Sequence, residues 1–566
     1  MLFSKISKKI KISVIAISIS IASLGLYSFS DDANNFEIVK NLDIYYTLFR
    51  EINMFYVDPI DPGKLIKTSI DAMLTSLDPY TDYIPESQME DFRFMTTGQY
   101  GGIGALIRQD DEGIVITDPY EGFPAQKAGL KAGDLVIQID GKLLKGKTSS
   151  EVSDLLKGQP KTAIKLLIKR YGVDQPFEKE IVRDEIQIKS VPYYGMLNNE
   201  IGYIQLSSFT ENATKEVKEA LVELKEKNNA KAIVFDLRSN PGGLLIEAVN
   251  ISNLFIEKGK EIVSTKGKVS QWDKSYESSF AAVDVNIPLV VLVNSGSASA
   301  SEIVSGAIQD LDRGVVIGQR TYGKGLVQTT RQLSYNSKLK VTTAKYYIPS
   351  GRCIQALDYT HRNEDGSVGK VPDSLITAFK TKNGRKVFDG GGIVPDITTE
   401  PQRLSNISFS LIVKNHIFDY ATQYALKNND IKPAREYAFS EEEYKDFVSF
   451  LTGKDYDYET FSEEKLKELV DVATKEKYYD LSKTELDALQ KTLVHDKNKD
   501  LTTFKDEIKE LITEEIVSRY YYQKGRSEAA INFDPEVKKA IEVLKNKELY
   551  NSILNGTYKI TETKIK

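Results

Sequence analysis

Between Val290 and Gln328 the chain reads VVLVNSGSASASEIVSGAIQDLDRGVVIGQRTYGKGLVQ, a segment that holds a serine, a lysine and a glutamine in settings suited to acyl-transfer chemistry. The apolar run Val290–Asn294 reads as a strand, small residues turn the chain, and a helix is expected from about Ser299. A serine at such a turn stands at a helix N-terminus, where backbone N–H groups can stabilise an oxyanion. Lys324 follows 25 positions after Ser299, between Gly323 and Gly325. Flanking glycines permit close backbone approach, and a desolvated lysine whose pKa falls from about 10.4 toward about 7–8 can act as a base. Gln328 can orient an amine through a hydrogen bond. Taken alone, Ser299 is first of all a helix cap, because Ser299-Ala300-Ser301-Glu302 is a capping box. Ser295, Ser297, Ser301 and Ser305 crowd it, so spacing alone does not select a nucleophile. A second turn, Asn240-Pro241-Gly242-Gly243, follows an apolar strand and is a candidate source of another oxyanion donor.

These residues need a scaffold, and the surrounding pattern supplies one. Residues 199–349 alternate strands and helices: a strand over Ile201–Phe209, a helix to about Lys227, an apolar strand Ala232–Leu237, and a helix from about Leu244. That is an α/β layered arrangement. Residues 338–349 form another strand, and 357–387 read as a polar insertion before GGGIVPDI. Residues 36–90 carry apolar side chains at helical spacing, among them Ile38, Leu42, Tyr45 and Phe49. From about residue 401 the chain turns helical, with capping boxes expected at Ser440/Glu443, Thr460/Glu463 and Ser482/Glu485. This tail carries no catalytic constellation and reads as packing against the core.

The formal net charge of −6 gives no reason to expect nucleic acid. A single cysteine, Cys353, rules out an intrachain disulfide and a Cys₄ zinc site, and three histidines do not suggest a His-rich metal centre. No metal or cofactor is expected. Residues 1–30 read as an export segment: Lys5, Lys8, Lys9 and Lys11 precede an uncharged stretch, Ile12–Phe29. It is either a cleaved signal peptide or a membrane anchor, and either way the remainder is expected outside the cytoplasm, in the periplasm.

Residues 97–186 resemble PDZ domains of the bacterial protease-associated type, through Gly102-Ile103-Gly104, Pro124-Ala125, Ala128-Gly129-Leu130 and Ala132-Gly133-Asp134. The resemblance implies that the loop at Gly102, Ile103 and Gly104 offers N–H groups to a peptide's terminal carboxylate, with the next strand accepting the peptide by β-augmentation. The stretches DLRSNPGG, NSGSASASEIVSGAIQD, RTYGKGLVQ, YYIPSGRCIQ and GGIVPDI occur downstream in that order. Together with the PDZ segment they resemble the C-terminal processing peptidases, or tail-specific serine proteases, over roughly residues 36–400.

That resemblance implies Ser299 as nucleophile, rather than Ser297 or Ser301, Lys324 as base and Gln328 in support. It implies oxyanion donors at Ala300 and at Gly242 or Gly243. Arg170 matches an arginine that in some members links substrate occupancy to the active site. The implied architecture is multidomain: an export segment at 1–30, N-terminal helices at 31–96, an inserted PDZ domain at 97–186, an α/β layered serine-peptidase core of crotonase and Clp-protease type at 187–400, and a helical region at 401–566. The implied partners are protein or peptide substrates with free C-termini; inner-membrane association and homo-oligomerisation stay open. Two rival readings are a catalytically inactive PDZ-bearing scaffold and a crotonase-like enzyme acting on thioesters. The PDZ and export segments disfavour the latter.

Overall fold

The computed structural model describes residues 35–493 and 495–558, so the expected export segment at 1–30 lies outside the described residues. The chain divides after Tyr83 into two compact units. In the first, residues 35–55 are helical and a second helix spans Pro62–Thr75. Asp61 starts that second helix: its Oδ1 accepts the Lys64 N–H at 3.1 Å, and Pro62 occupies the first position, where no N–H is needed.

In the second unit, a six-stranded antiparallel sheet runs in the spatial order Ala105–Gln109, Ile114–Pro119, Leu135–Ile139, Ala163–Lys169 and Phe177–Val182, with the short strand Lys142–Leu143 also paired to Leu135–Ile139. Ile114, Ile116, Val136, Leu166 and Ile168 fill its core. The helix Ser149–Leu156, held by a Thr148/Glu151 capping box, packs beside the edge strand Ala105–Gln109. Gly102 pairs with Asp184, Ile103 is buried, and the Ile103 and Gly104 carbonyls accept the N–H groups of Ala125 and Tyr120.

A six-stranded sheet carries the chemistry. Its strands lie in chain order: β1 (Tyr193–Met196), β2 (Ile201–Gln205), β3 (Ala232–Asp236), β4 (Leu289–Val293), β5 (Val315–Gly318) and β6 (Ile397–Thr398). Only the β1–β2 pair is antiparallel. Side chains alternate between faces, so β4 sends Leu289, Val291 and Val293 to one core and Val290 and Leu292 to the other. Burial on both faces explains why this strand is apolar throughout instead of alternating. Each such side chain contributes about 1.5–3 kcal/mol over an exposed one.

Helices α1 (Ala213–Glu226), α2 (Leu245–Asn253) and α3 (Ala300–Asp310) cover the first face. The second face is covered from far along the chain, by Val537, Ala540 and Val543 of one late helix and Tyr550 and Ile553 of the next. Beside this sheet, the strand Leu326–Gln332 pairs antiparallel with Lys338–Tyr347, which also pairs with Glu261–Gly267. The polar segment after residue 356 forms two short hairpins, Leu357–Arg362 with Val368–Lys370 and Ala378–Lys380 with Lys386–Phe388.

Residues from Ile407 to Ala529 build a separate helical core around Tyr420, Phe447, Ile512 and Ile516. Capping boxes form at Ser440/Glu443 and Thr460/Glu463. The expected start at Ser482 does not: the helix begins at Tyr479, and the Ser482 hydroxyl instead donates to the Tyr478 carbonyl at 2.8 Å. A serine inside a helix can satisfy itself on the preceding turn, so the same residue pattern serves two positions. The long helix α4 (Lys505–Ala530) breaks its regular geometry at Tyr522, with φ 55° and ψ −155°, and leads into α5 (Pro535–Lys545) and α6 (Lys547–Leu554), the two late helices on the second face. No helix among the described residues is long and apolar enough to cross a membrane.

Candidate active site

The end of β4 delivers the serine. The chain turns through Asn294–Ala298 and enters α3 with Ser299 at φ 55° and ψ −111°, outside the regions usual for a residue with a side chain. Such a conformation costs about 1–3 kcal/mol and persists because neighbouring bonds fix it. The neighbouring serines have structural work. The Ser297 hydroxyl donates to the Leu237 carbonyl at 2.8 Å, Ser301 to the Asn240 carbonyl at 2.9 Å, and Ser305 to the Ser301 carbonyl at 2.8 Å, all three fully buried. Ser299 is partly exposed and lines a cavity of about 580 Å³ together with Lys324, Gln328, Gly242, Gly243 and Ala300. Apolar side chains complete its wall, among them Phe92, Met95, Leu244 and Ile303.

Lys324 lies on the loop between β5 and the strand Leu326–Gln332. Gly323, at φ 87°, lets this loop pass close to its neighbours; a Cβ there would stand 2.4 Å from the Ala356 Cβ. Gln328 is in the strand, opposite Thr342, and its Nε2 donates to the Thr342 Oγ1 at 3.1 Å.

Glu302 ties the two loops together. It is fully buried on the first turn of α3. Its Oε2 accepts the Ser299 N–H at 2.8 Å and the Lys324 N–H at 2.9 Å; its Oε1 accepts the Gly323 N–H at 2.7 Å and the Thr321 hydroxyl at 2.5 Å. One carboxylate therefore holds the backbone of both the serine and the lysine. Burial pushes its pKa up, against the pull of the four donors. The Tyr346 hydroxyl makes a second link, 2.6 Å from the Lys324 carbonyl and 3.2 Å from the Ser299 carbonyl. The sequence pointed to Glu302 only as half of a capping box, and nothing local marked Tyr346.

The turn after β3 is sewn to the serine loop. Asn240 donates through Nδ2 to the Leu206 carbonyl at 2.8 Å, and its own carbonyl accepts the Ala298 N–H at 3.0 Å. The Asn294 Oδ1 accepts the Ser239 N–H at 2.8 Å. Gly242, at φ 101°, lies against the start of α3, where a Cβ would come within 2.9 Å of the Ala300 nitrogen. The two glycines differ in their N–H groups. That of Gly242 donates to the Asn240 Oδ1 at 2.9 Å, whereas those of Gly243 and Ala300 have no protein acceptor among the described residues.

Arg170 is not brought to this cavity. Its Nε and one terminal nitrogen grip the buried Asp134 at 2.6 and 2.7 Å, and that nitrogen also donates to the Gly129 carbonyl at 2.8 Å. A buried carboxylate needs such a partner, which places the guanidinium inside the PDZ-like segment. Gly102, the last residue of the strand Gln99–Gly102, and Ile103 and Gly104, which connect it to the edge strand Ala105–Gln109, likewise do not line this cavity.

Residues 200–361 match peptidase family S41, residues 115–170 match the PDZ domain, and residues 407–544 match the C-terminal helical domain of probable PDZ-proteases. A carboxy-terminal-processing protease of Bartonella bacilliformis is 40% identical over 343 residues, covering 60% of this chain and 78% of that protein. A probable CtpA-like serine protease of Staphylococcus aureus is 34% identical over 395 residues, covering 68% of this chain and 76% of that protein. Among solved structures, the photosystem II D1 C-terminal processing protease is 28% identical, with 64% of this chain and 93% of that chain covered at a TM-score of 0.34.

Proposed function

The chain belongs to the carboxy-terminal-processing serine proteases of peptidase family S41, and on that footing we propose that Ser299, Lys324 and Gln328 form its catalytic group. The observation that carries this reading is the Glu302 carboxylate, which binds the backbone of Ser299 and Lys324 at 2.8 and 2.9 Å and so fixes nucleophile and base relative to each other.

Neutral Lys324 takes the proton from the Ser299 hydroxyl as Oγ attacks a peptide carbonyl. The oxyanion is held by the N–H groups of Ala300 and Gly243, which have no protein acceptor among the described residues. Collapse of the tetrahedral intermediate breaks the C–N bond, and Lys324 gives its proton to the departing amine. Water, deprotonated by Lys324, then attacks the acyl-enzyme; the C–Oγ bond breaks, Lys324 returns the proton to the Ser299 Oγ, and the new carboxyl terminus is released. Gln328 orients the lysine amine. The dipole of α3 adds to the field at the oxyanion.

The PDZ domain captures the substrate's C-terminus. Its strand Ala105–Gln109 is the edge of the sheet, with one side unpaired among the described residues, next to the helix Ser149–Leu156, and the loop at Ile103–Gly104 leads into it. A peptide added there as a strand gains main-chain bonds and ends near the loop. Substrates are exported proteins, in keeping with the basic and apolar sequence of residues 1–30.

A serine-directed phosphonate is expected to label Ser299, and Ser299→Ala and Lys324→Ala are each expected to abolish cleavage of an unstructured protein while leaving the fold intact. Full activity in Lys324→Ala would remove the lysine from the mechanism; failure of well-folded protein to react with the phosphonate would favour an inactive scaffold. Amidating a substrate's C-terminus is expected to slow its cleavage, and indifference to the terminus would remove the capture role.

A further inference from the structure

The structure assigns Glu536 and Asp534, at the start of α5 in the C-terminal region, as positioning residues for the active site: they clamp together the loops that carry the oxyanion donor and the base. This rests on the Ser299–Lys324 reading and extends it to a part of the chain in which the sequence shows no chemistry.

The clamp is built on Arg238, the third residue of the DLRSNPGG stretch. Its NH1 donates to the Glu536 Oε2 at 2.7 Å, and its NH2 lies 2.7 Å from the Asp534 Oδ2. Its Nε donates to Asp236 at 3.0 Å, and its backbone N–H to the Asp236 Oδ1 at 2.9 Å. Asp236 in turn accepts the Tyr203 hydroxyl at 2.6 Å. The guanidinium is largely buried, and its carboxylate partners on β3 and α5 outweigh the cost of that burial. Ser239, Asn240 and the two glycines of the oxyanion turn follow directly along the chain.

The other oxygen of Glu536 holds the second loop. Oε1 accepts the Gln319 Nε2 and, at 2.6 Å, the Thr399 hydroxyl. Gln319 opens the segment that runs through Tyr322, whose N–H donates to the Ser297 carbonyl at 3.0 Å, to Lys324. A single buried carboxylate therefore touches the first residues of both loops, on the opposite side from Glu302. Asp534 fixes its direction by capping α5: its Oδ1 accepts the Glu536 and Val537 N–H groups at 2.8 and 3.0 Å. A helix needed only to cover the sheet has no use for this arrangement, because Val537, Ala540 and Val543 already supply the apolar cover.

The test uses the full chain. Wild type, Glu536→Gln, Asp534→Asn and Val543→Ala are compared by kcat and KM on an unstructured protein, by the rate of phosphonate labelling at Ser299, and by melting temperature. Glu536→Gln is expected to lower kcat and labelling rate about tenfold or more with KM within about twofold, while Val543→Ala lowers the melting temperature and keeps kcat within about twofold. The inference is overturned if Glu536→Gln and Asp534→Asn both stay within twofold of wild type, or if Val543→Ala loses kcat by the same factor for the same loss of melting temperature. Should Glu536→Gln fail to fold, Asp534→Asn and Gln319→Ala, read the same way, decide the matter. A wild-type enzyme that resists the phosphonate would bring down the Ser299–Lys324 reading itself, a result distinct from an active wild type with equally active clamp variants.

Discussion

Glu302→Gln changes a single atom type at the junction of the serine and lysine loops and keeps the side chain's volume. The carboxylate has four donors, two to each oxygen. An amide has one oxygen and one NH₂, so one pair of donors must face a donor. If NH₂ takes the Oε2 side, the Ser299 and Lys324 N–H groups both lose their acceptor. On the Oε1 side only the Gly323 N–H is orphaned, because the Thr321 hydroxyl, which already accepts the Ile393 N–H at 2.7 Å, can turn to accept again. The second arrangement is the less costly. One buried orphan costs about 1–3 kcal/mol, and two bonds that lose their charge assistance cost about 1 kcal/mol each. Relief from burying a charge offsets part of this, leaving about 2–4 kcal/mol acting on the contact between the loops. A shift of about 1 Å in the lysine loop relieves that strain and costs about a hundredfold in rate. The expected outcome is a folded enzyme with kcat down about a hundredfold and KM changed less than about threefold, measured by initial rates on an unstructured protein. A folded Glu302→Gln enzyme with kcat within about threefold of wild type would refute the reasoning.

Three further outcomes are expected. Gly243→Ala places a Cβ 2.4 Å from the Phe209 carbonyl oxygen, so it should displace the turn and cut phosphonate labelling of Ser299 by about tenfold or more, whereas unchanged labelling would exclude this glycine as a donor. Gln328→Ala should lower kcat less than Lys324→Ala does and shift the alkaline or acidic limb of the pH–rate profile; an unchanged profile would leave Gln328 as a strand residue bonded to Thr342. Glu514 is raised to about 7, mainly by burial, with Arg526 opposing and Glu510, Glu515 and Asp534 adding to the shift. Its neutral form favours the fold, so its contribution is present below the ordinary glutamate range and is lost as pH rises through about 7. Glu514→Gln should therefore raise the melting temperature at pH 8 and change it little at pH 4, and equal effects at both would rule out this origin.

The layers and the candidate residues were legible in the order of residue types along the chain. LVVLV at β4 is apolar because both faces of the strand are covered, and that requirement is local enough to read from five residues. The SASAS block, the GKG lysine and the NPGG turn were legible because each couples a backbone geometry to a residue type, such as the glycines at positive φ. Local pattern could not choose among the serines, since any of them can cap or line a turn; the family motifs selected Ser299. The tertiary structure supplied an independent reason, in that Ser297, Ser301 and Ser305 spend their hydroxyls on buried carbonyls.

Other features were decided only by the three-dimensional arrangement. The Gly242 N–H is taken by Asn240 while that of Gly243 has no protein acceptor among the described residues, a distinction invisible in two adjacent identical residues. Arg170 was drawn to buried Asp134 and does not line the cavity that holds Ser299 and Lys324. Glu302 joined loops 22 residues apart, and Glu536 reached Arg238 across 298. Apolar periodicity records which face of an element is buried, because burial acts on every turn or every second residue. A polar bond between distant segments leaves no such repeat, since it depends on two side chains meeting once, and only the folded chain brings them together.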